Sequence, residues 1–302
     1  MRPLIILTLT LTALLSGCTT VNRLAYMYGS GLEPHAYPLP FGGESIYYTF
    51  ETSDQPPSTF LFFYGGSGCN SLKSVMPDYI EGFEADAKVF ILNKRFVSDN
   101  SLGTFGCSDK FHLANYPEQW VTDYKVFIQD MIAQADIKPN NVVLVGVSEG
   151  AIAAVKVAAD SDLVTHLAII GAGGWSVRES FKTLYEKGMI PISIDKEWPK
   201  VKSKPNSIDD FMYDHPYRWW NDVIDLSPLH DYLTLDIPIL VGIGENDERV
   251  PVESARFLES RFKSSGKVNL VVNIYPEANH QLESDSQSYR KAFFQALSDY
   301  VR

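Results

Sequence analysis

Ser148 stands between two glycines in Gly146-Val147-Ser148-Glu149-Gly150, where an apolar run over 141–147 gives way to an alanine-rich one. A serine hydroxyl is a weak nucleophile in water. It attacks an acyl carbon only when a base takes its proton and a third group orients that base. The G-x-S-x-G spacing suits a buried strand that turns sharply into a helix, holding the serine in a strained conformation with its hydroxyl exposed. The flanking glycines let strand and helix approach without a side-chain clash. On such a turn the acid and then the histidine follow the serine along the chain. Asp247 in VGIGENDERVP and His280 in NIYPEANHQ come in that order, each just past an apolar run, 237–244 and 267–275.

Those side chains are far apart in sequence, so the elements around them must bring them together. SIYYTFET (45–52) and STFLFFY (58–64), separated by Ser53-Asp54-Gln55-Pro56-Pro57, read as an antiparallel hairpin that opens a sheet. Leu72, Val75, Met76, Tyr79, Ile80 and Phe83 fall at helical spacing within 71–86, with Pro77 placed to kink or shorten that helix. A strand is expected over 87–93, and an amphipathic helix over 116–136 with Pro117 in its first turn. Further strands are expected over 141–147, 163–173, 237–244 and 267–275, and helices over 252–264 and 286–301. Strand alternating with helix predicts an α/β fold, a mostly parallel sheet with helices on both faces. The carboxyl ends of parallel strands converge on one edge, where Ser148, Asp247 and His280 would meet. Residues 175–235 are too long for a simple crossover and hold Trp175, Trp198, Trp219 and Trp220. They are expected to form a helical cap over a ligand site. The alternative is a structural connection with its own small aromatic core.

On these motifs the chain resembles the α/β-hydrolase superfamily of serine hydrolases, from about Ser45 to its end. Gly244-x-x-Asp247-x-x-Val250-Pro251 is similar to that family's acid loop, and Ala278-Asn279-His280 to its histidine loop. The resemblance implies that Ser148 is the nucleophile, His280 the general base and acid, and Asp247 the orienting carboxylate. Glu245 and Glu248 flank Asp247 as alternative acids, although the spacing to Val250-Pro251 favours Asp247. Among the other histidines, His35, His112, His166, His215 and His230, none follows the last strand; His215 and His230 fall in the expected cap. The resemblance also implies an oxyanion hole made by the N–H of Glu149 and one N–H from Tyr64-Gly65-Gly66-Ser67-Gly68. This segment is similar to the family's His-Gly loops, with Tyr64 in place of the usual histidine. Gly66 is the first choice there and Ser67 the second. Glu149 itself is odd, since a carboxylate beside an oxyanion hole is awkward. It either complements the first turn of a helix or recognises a cationic substrate group such as a peptide amine. The glycine loop lacks the Gly-Lys-Ser/Thr ending of a P-loop. IIGAGGWS has Ser176 where a dinucleotide fingerprint needs its last glycine.

The beginning of the chain carries a different message. Arg2 precedes an apolar stretch from Leu4 to Leu15, too short for a membrane span of about 20 residues and suited to a secretory signal. Leu15-Ser16-Gly17-Cys18 resembles a bacterial lipobox, and Thr19 rather than aspartate follows the cysteine. That resemblance implies a signal peptide over 1–17, acyl chains such as palmitate on Cys18, and an anchor in the outer membrane, with either face open. Residues 18–42 then read as a tether and irregular arm, and 43–302 as the hydrolase domain. In an oxidising compartment the two remaining cysteines, Cys69 and Cys107, are a possible disulfide. The net charge of −11, with no basic cluster, argues against a nucleic-acid partner. No metal or organic cofactor is implied. The expected activity is cleavage of an acyl bond in a small-molecule ester or other acyl substrate through an acyl-enzyme. A carboxylesterase comes first, with a serine peptidase or thioesterase as alternatives. The lack of a propeller-like repeat before the catalytic region counts against the oligopeptidase branch. From another class, a ligand-binding surface lipoprotein would use the same fold without catalysis.

Overall fold

The computed structural model describes residues 31–76, 78–103 and 106–302. The expected signal peptide over 1–17, Cys18 and Pro77 therefore lie outside the described residues. Eight strands form one sheet: β1 (His35–Leu39), β2 (Gly43–Glu51), β3 (Thr59–Tyr64), β4 (Ala87–Leu92), β5 (Asn141–Val147), β6 (His166–Ile170), β9 (Ile239–Gly244) and β10 (Leu270–Tyr275). They lie side by side in the order β1-β2-β4-β3-β5-β6-β9-β10. β1 pairs antiparallel with β2, and β2 antiparallel with β4. All pairs from β4 through β10 are parallel. The remaining two strands, β7 (Phe211–Met212) and β8 (His215–Pro216), make a separate short ribbon.

The sheet is buried on both faces because its strands are apolar at consecutive positions, not at alternate ones. Phe60, Phe62 and Tyr64 of β3 point into one core, and Leu61 and Phe63 into the other. The first core is closed by α2 (Pro117–Ala133), α3 (Glu149–Ala159) and α8 (Val252–Ser264), together with residues of the 175–235 segment. Trp120, Tyr124, Phe127, Ile128 and Met131 form the buried stripe of α2, and Pro117 starts it where no N–H is needed. The second core is closed by α9 (Arg290–Val301), through Phe293, Phe294, Leu297 and Val301. A short α1 (Asp109–Ala114) precedes α2.

Three local expectations are corrected. Segments 45–52 and 58–64 do not form a hairpin, because β4 lies between β2 and β3. Their turn residues reverse the chain, but the all-buried β3 gains more from two parallel neighbours than from half-exposed β2. The irregular arm contains β1, whose Tyr37 and Leu39 are buried; Pro38 is tolerated because β1 is an edge strand. The helix expected over 71–86 is two single 3-10 turns, Leu72–Ser74 and Asp78–Ile80. The Asn93 side chain accepts the Leu72 N–H and Gly82 turns to φ +97°, so the segment bends instead of continuing as a helix.

Between β6 and β9 the chain leaves the sheet and builds α4 (Val177–Glu186), α5 (Ile194–Ser203), the β7–β8 ribbon, α6 (Tyr217–Val223) and α7 (Leu229–Thr234). Ser176, the residue that spoils a dinucleotide fingerprint, caps α4: its hydroxyl accepts the Glu179 N–H while Glu179 accepts the Ser176 N–H. Trp220 is the fully buried centre of this segment, edge-on to Phe181 and donating its indole N–H to the Met212 carbonyl. The segment has an aromatic core of its own, and its residues also line a cavity together with Ser148.

Candidate active site

The strand order reverses at β3. The chain steps from β3 outward to β4, then crosses back to β5 on the other side and continues to β6, β9 and β10. The loops after β3 and β5 thus part at their carboxyl ends, and such a crevice is where ligands bind in open α/β sheets. Ser148 sits there, between β5 and α3, with φ 53° and ψ −121°. A non-glycine residue holds this conformation only when its surroundings force it. The force comes from two close approaches. A Cβ on Gly146 would lie 2.8 Å from Ala154 Cβ, and one on Gly150 would lie 2.5 Å from the Gly65 carbonyl oxygen. Strand, helix and glycine loop are pressed together around the serine, and only glycines fit.

His280 and Asp247 are both buried. The His280 Nδ1–H donates to Asp247 Oδ2 at 2.8 Å and Oδ1 at 2.9 Å. Asp247 Oδ1 also accepts the N–H groups of Arg249 and Val250, each at 2.8 Å. The carboxylate is therefore held by its own loop and presents its free lone pairs to the imidazole. This leaves Nε2 of His280 as the proton acceptor. His280 reaches back over Gly171, just after β6: a Cβ there would sit 2.8 Å from the imidazole Cε1. One residue earlier, the Ile170 carbonyl accepts the Ser148 N–H at 2.9 Å. Consecutive residues thus touch the serine and the histidine. Among the described residues no hydrogen bond links the Ser148 hydroxyl to His280; such a contact often tightens only with substrate in place.

The alternative acids have other places. Glu248 is exposed and accepts the His280 backbone N–H at 3.2 Å, so it braces the histidine loop. Gly66 faces Ser148 closely, since a Cβ there would be 3.4 Å from Ser148 Cβ. Ser67 is exposed and lines the same cavity. Tyr64 is fully buried, its ring stacked on Tyr124 at 3.6 Å, and burial pushes its hydroxyl well above the ordinary tyrosine range. It serves as core and does not reach the cavity. Glu149 is buried, its Oε1 accepting from Lys94 Nζ and its Oε2 from the Trp219 indole N–H at 2.7 Å. Cys69, next to the glycine loop, is joined to Cys107 in a disulfide with Cα atoms 5.7 Å apart.

A cavity of about 370 Å³ opens between the sheet edge and the overhanging segment. Ser148 lies in its wall, and Trp175, Phe181, Leu184, Trp219 and Leu226 supply much of the rest. Three of its polar side chains are already committed. Ser180 donates to the Ser176 carbonyl, Tyr213 to the Ile192 carbonyl, and Ser254 accepts the Trp175 N–H. His215 also lines the cavity, its ring stacked on Trp219 at 3.8 Å. Burial drives its pKa down to about 4, with Lys94 adding to the effect and Glu149 opposing it, so it is neutral near pH 7.

Sequence reasoning passed over several of these residues. Gly171 falls in the strand expected over 163–173 and in the segment rejected as a dinucleotide loop, Lys94 just past the strand expected over 87–93, and Trp219 among the aromatics of 175–235. Glu248 was considered only as a rival acid. Nothing in their local spacing signals a contact across the fold.

The mostly parallel sheet and its strand–serine–helix turn are those of an α/β-hydrolase, and with the family match that follows the chain is a serine hydrolase. It belongs to the prolyl oligopeptidase family (peptidase S9), whose model matches residues 92–301. This match corrects the expectation that counted against the oligopeptidase branch, and the matched residues include Ser148, Asp247 and His280. Solved structures agree in fold. An esterase from Pyrococcus furiosus is 12% identical over 89% of this chain and 90% of its own, with a TM-score of 0.62. Est1E from Butyrivibrio proteoclasticus is 12% identical over 88% and 98%, with a TM-score of 0.58. The acylaminoacyl peptidase of Pyrococcus horikoshii is 14% identical over 89% of this chain but only 41% of its own, with a TM-score of 0.58. This chain thus spans about two fifths of that peptidase. No curated protein sequence matches it.

Proposed function

We propose that this chain is a carboxylesterase acting on small neutral esters with an apolar acyl or alkyl group. Ser148 Oγ attacks the acyl carbon while His280 Nε2 takes its proton, and Asp247 steadies the imidazolium that forms. The N–H groups of Glu149 and of Gly66, or failing that Ser67, hold the oxyanion of the tetrahedral intermediate. Collapse expels the alcohol with a proton from His280. Water, activated by the same histidine, then releases the acid from the acyl-enzyme. The closed pair between buried His280 and Asp247, at the edge where Ser148 protrudes, is the observation that carries this reading.

The choice of an ester rests on the cavity. Its walls are mostly apolar, with the exposed Asp214, Glu248 and Arg249 also lining it, and Glu149 is already paired with Lys94. The carboxylate that directly follows Ser148 is therefore not free to hold a peptide amine. Membership of a peptidase family favours a serine peptidase as the second reading. The test is labelling with a fluorophosphonate probe, followed by a panel of short and long esters, thioesters and aminoacyl amides. We expect labelling that vanishes in Ser148→Ala and turnover of esters above amides. Folded wild type that takes no label supports the ligand-binding reading instead, and faster amide turnover supports the peptidase. We further propose that the enzyme is exported and anchored in the outer membrane through lipid on Cys18, supported by Leu15-Ser16-Gly17-Cys18 and by the disulfide. Cys18→Ala should release it from the membrane fraction; retention there would refute the anchor.

A further inference from the structure

The residue that follows the nucleophile has two opposed duties. The first N–H groups of α3 have no acceptor within the helix and are available to an oxyanion. The Glu149 side chain carries a negative charge in the same place, where it would disfavour the negative charge that develops on the substrate. The structure shows how the conflict is relieved. Lys94, two residues beyond β4, forms an ion pair with Oε1 of Glu149. Lys94 is only 14% exposed and the Glu149 side chain 4%, so water screens the pair little. Lys94 is itself held over the Trp120 ring of α2, 5.0 Å from its centre. Oε2 of Glu149 takes the indole N–H of Trp219, which comes from α6, stacks on His215 and meets Trp220 edge-on.

We propose that Lys94 and Trp219 are positioning residues for catalysis: they neutralise and fix the Glu149 carboxylate, so that the Glu149 N–H serves the oxyanion without a competing charge. This rests on the hydrolase reading above. It assigns Glu149 a role other than recognition of a substrate amine, and it ties the oxyanion hole to the cap through one indole.

The test uses the folded full chain and the variants Lys94→Met, Lys94→Arg, Lys94→Met/Glu149→Gln and Trp219→Phe. kcat and KM are measured with p-nitrophenyl butyrate. Inhibition is measured with butylboronic acid: Ser148 Oγ adds to boron, its proton passes to His280, and the adduct is a tetrahedral anion. Lys94→Met should lower kcat by about tenfold or more and weaken boronate binding by a similar factor, with KM within about twofold. Lys94→Arg should keep most of the activity, and the double variant should recover most of kcat and boronate affinity. A purely structural pair would not separate the anionic adduct from the neutral ester. Unchanged kcat and boronate affinity in Lys94→Met, an equal loss in KM, or no recovery in the double variant would overturn the proposal. Should Lys94→Met not fold, Trp219→Phe decides: a several-fold loss in kcat and boronate affinity at constant KM supports it, and no change overturns it. A wild type that neither hydrolyses esters nor binds the boronate overturns the hydrolase reading and this one with it. An active wild type with an indifferent Lys94→Met overturns this one alone.

Discussion

Replacing Gly150 by alanine perturbs the site without touching any reacting group. The added methyl would stand 2.5 Å from the Gly65 carbonyl oxygen and 2.6 Å from that of Tyr64, where ordinary contact begins near 3.4 Å, so the parts must separate by about 0.9 Å. Both obstacles are backbone, and neither can swing aside as a side chain would. The strain falls between α3 and the glycine loop, the two pieces expected to supply oxyanion donors. Overpacking of this kind costs about 1–3 kcal/mol of stability, a fall in Tm of several degrees for a domain of this size. A misplacement of about 1 Å in a catalytic geometry costs about a hundredfold in rate. We therefore predict that Gly150→Ala folds, melts a few degrees lower, and hydrolyses p-nitrophenyl butyrate with kcat reduced about a hundredfold. KM should change little, because the apolar cavity is intact. Thermal melting and steady-state kinetics on one preparation test this. A variant with wild-type kcat would show that the glycine loop and the serine turn need no close register, and the argument for this oxyanion hole would fail.

Asp247→Asn should leave the fold intact and lower kcat by about 10⁴-fold, because an amide turned toward Nδ1 no longer fixes the tautomer that leaves Nε2 free; a loss below tenfold would remove Asp247 from the mechanism. His215 has a folded pKa of about 4 against an ordinary 6.5, so its neutral form contributes stability that is fully present above about pH 6.5 and is lost as pH falls toward 4, at most about 3 kcal/mol. The Tm of wild type should fall over that range and that of His215→Phe should fall less, as read by melting from pH 7 to pH 4; parallel curves would contradict it. The Cys69–Cys107 bond spans 38 residues, which corresponds to about 4 kcal/mol of chain entropy in the unfolded state. Cys69→Ser/Cys107→Ser should melt several degrees lower, and an unchanged Tm would argue that the two sulfurs are not bonded in solution.

What could be read from the residues beforehand follows from the range of the forces involved. The strands over 141–147 and 237–244 and the helix over 252–264 stand out because burial imposes a period on consecutive residues. Ser148, Asp247 and His280 stand out because each occupies a loop at the end of such a strand. β1 escaped notice because an edge strand containing Pro38 has neither the length nor the apolar run that marks a central one. The false hairpin came from a correct turn read with a wrong neighbour: pairing partners are chosen by the whole sheet, and β4 displaced β3 beside β2. The two 3-10 turns at 72–80 carry a helical apolar pattern, yet the Asn93 contact to the Leu72 N–H overrides it. Gly171 and Lys94 are long-range by nature, since each matters only because another segment folds onto it.

The cap and the nucleophile turn are coupled in a way that bears on substrate choice within this family. Trp219 is at once a wall of the cavity and a donor to the residue after Ser148. Any ligand group that displaces the indole leaves Glu149 Oε2 buried without its neutral partner, a cost of about 1–3 kcal/mol. Such a group is disfavoured unless it brings a donor of its own. An apolar acyl chain that packs against Trp219 without moving it leaves the Glu149 hydrogen bond, and with it the proposed oxyanion hole, in place. In the proposed mechanism this contact selects against bulky or charged groups at that wall. A substrate series of increasing acyl branching should accordingly lose kcat before it loses binding, and a series that lost only binding would separate the cap from the chemistry.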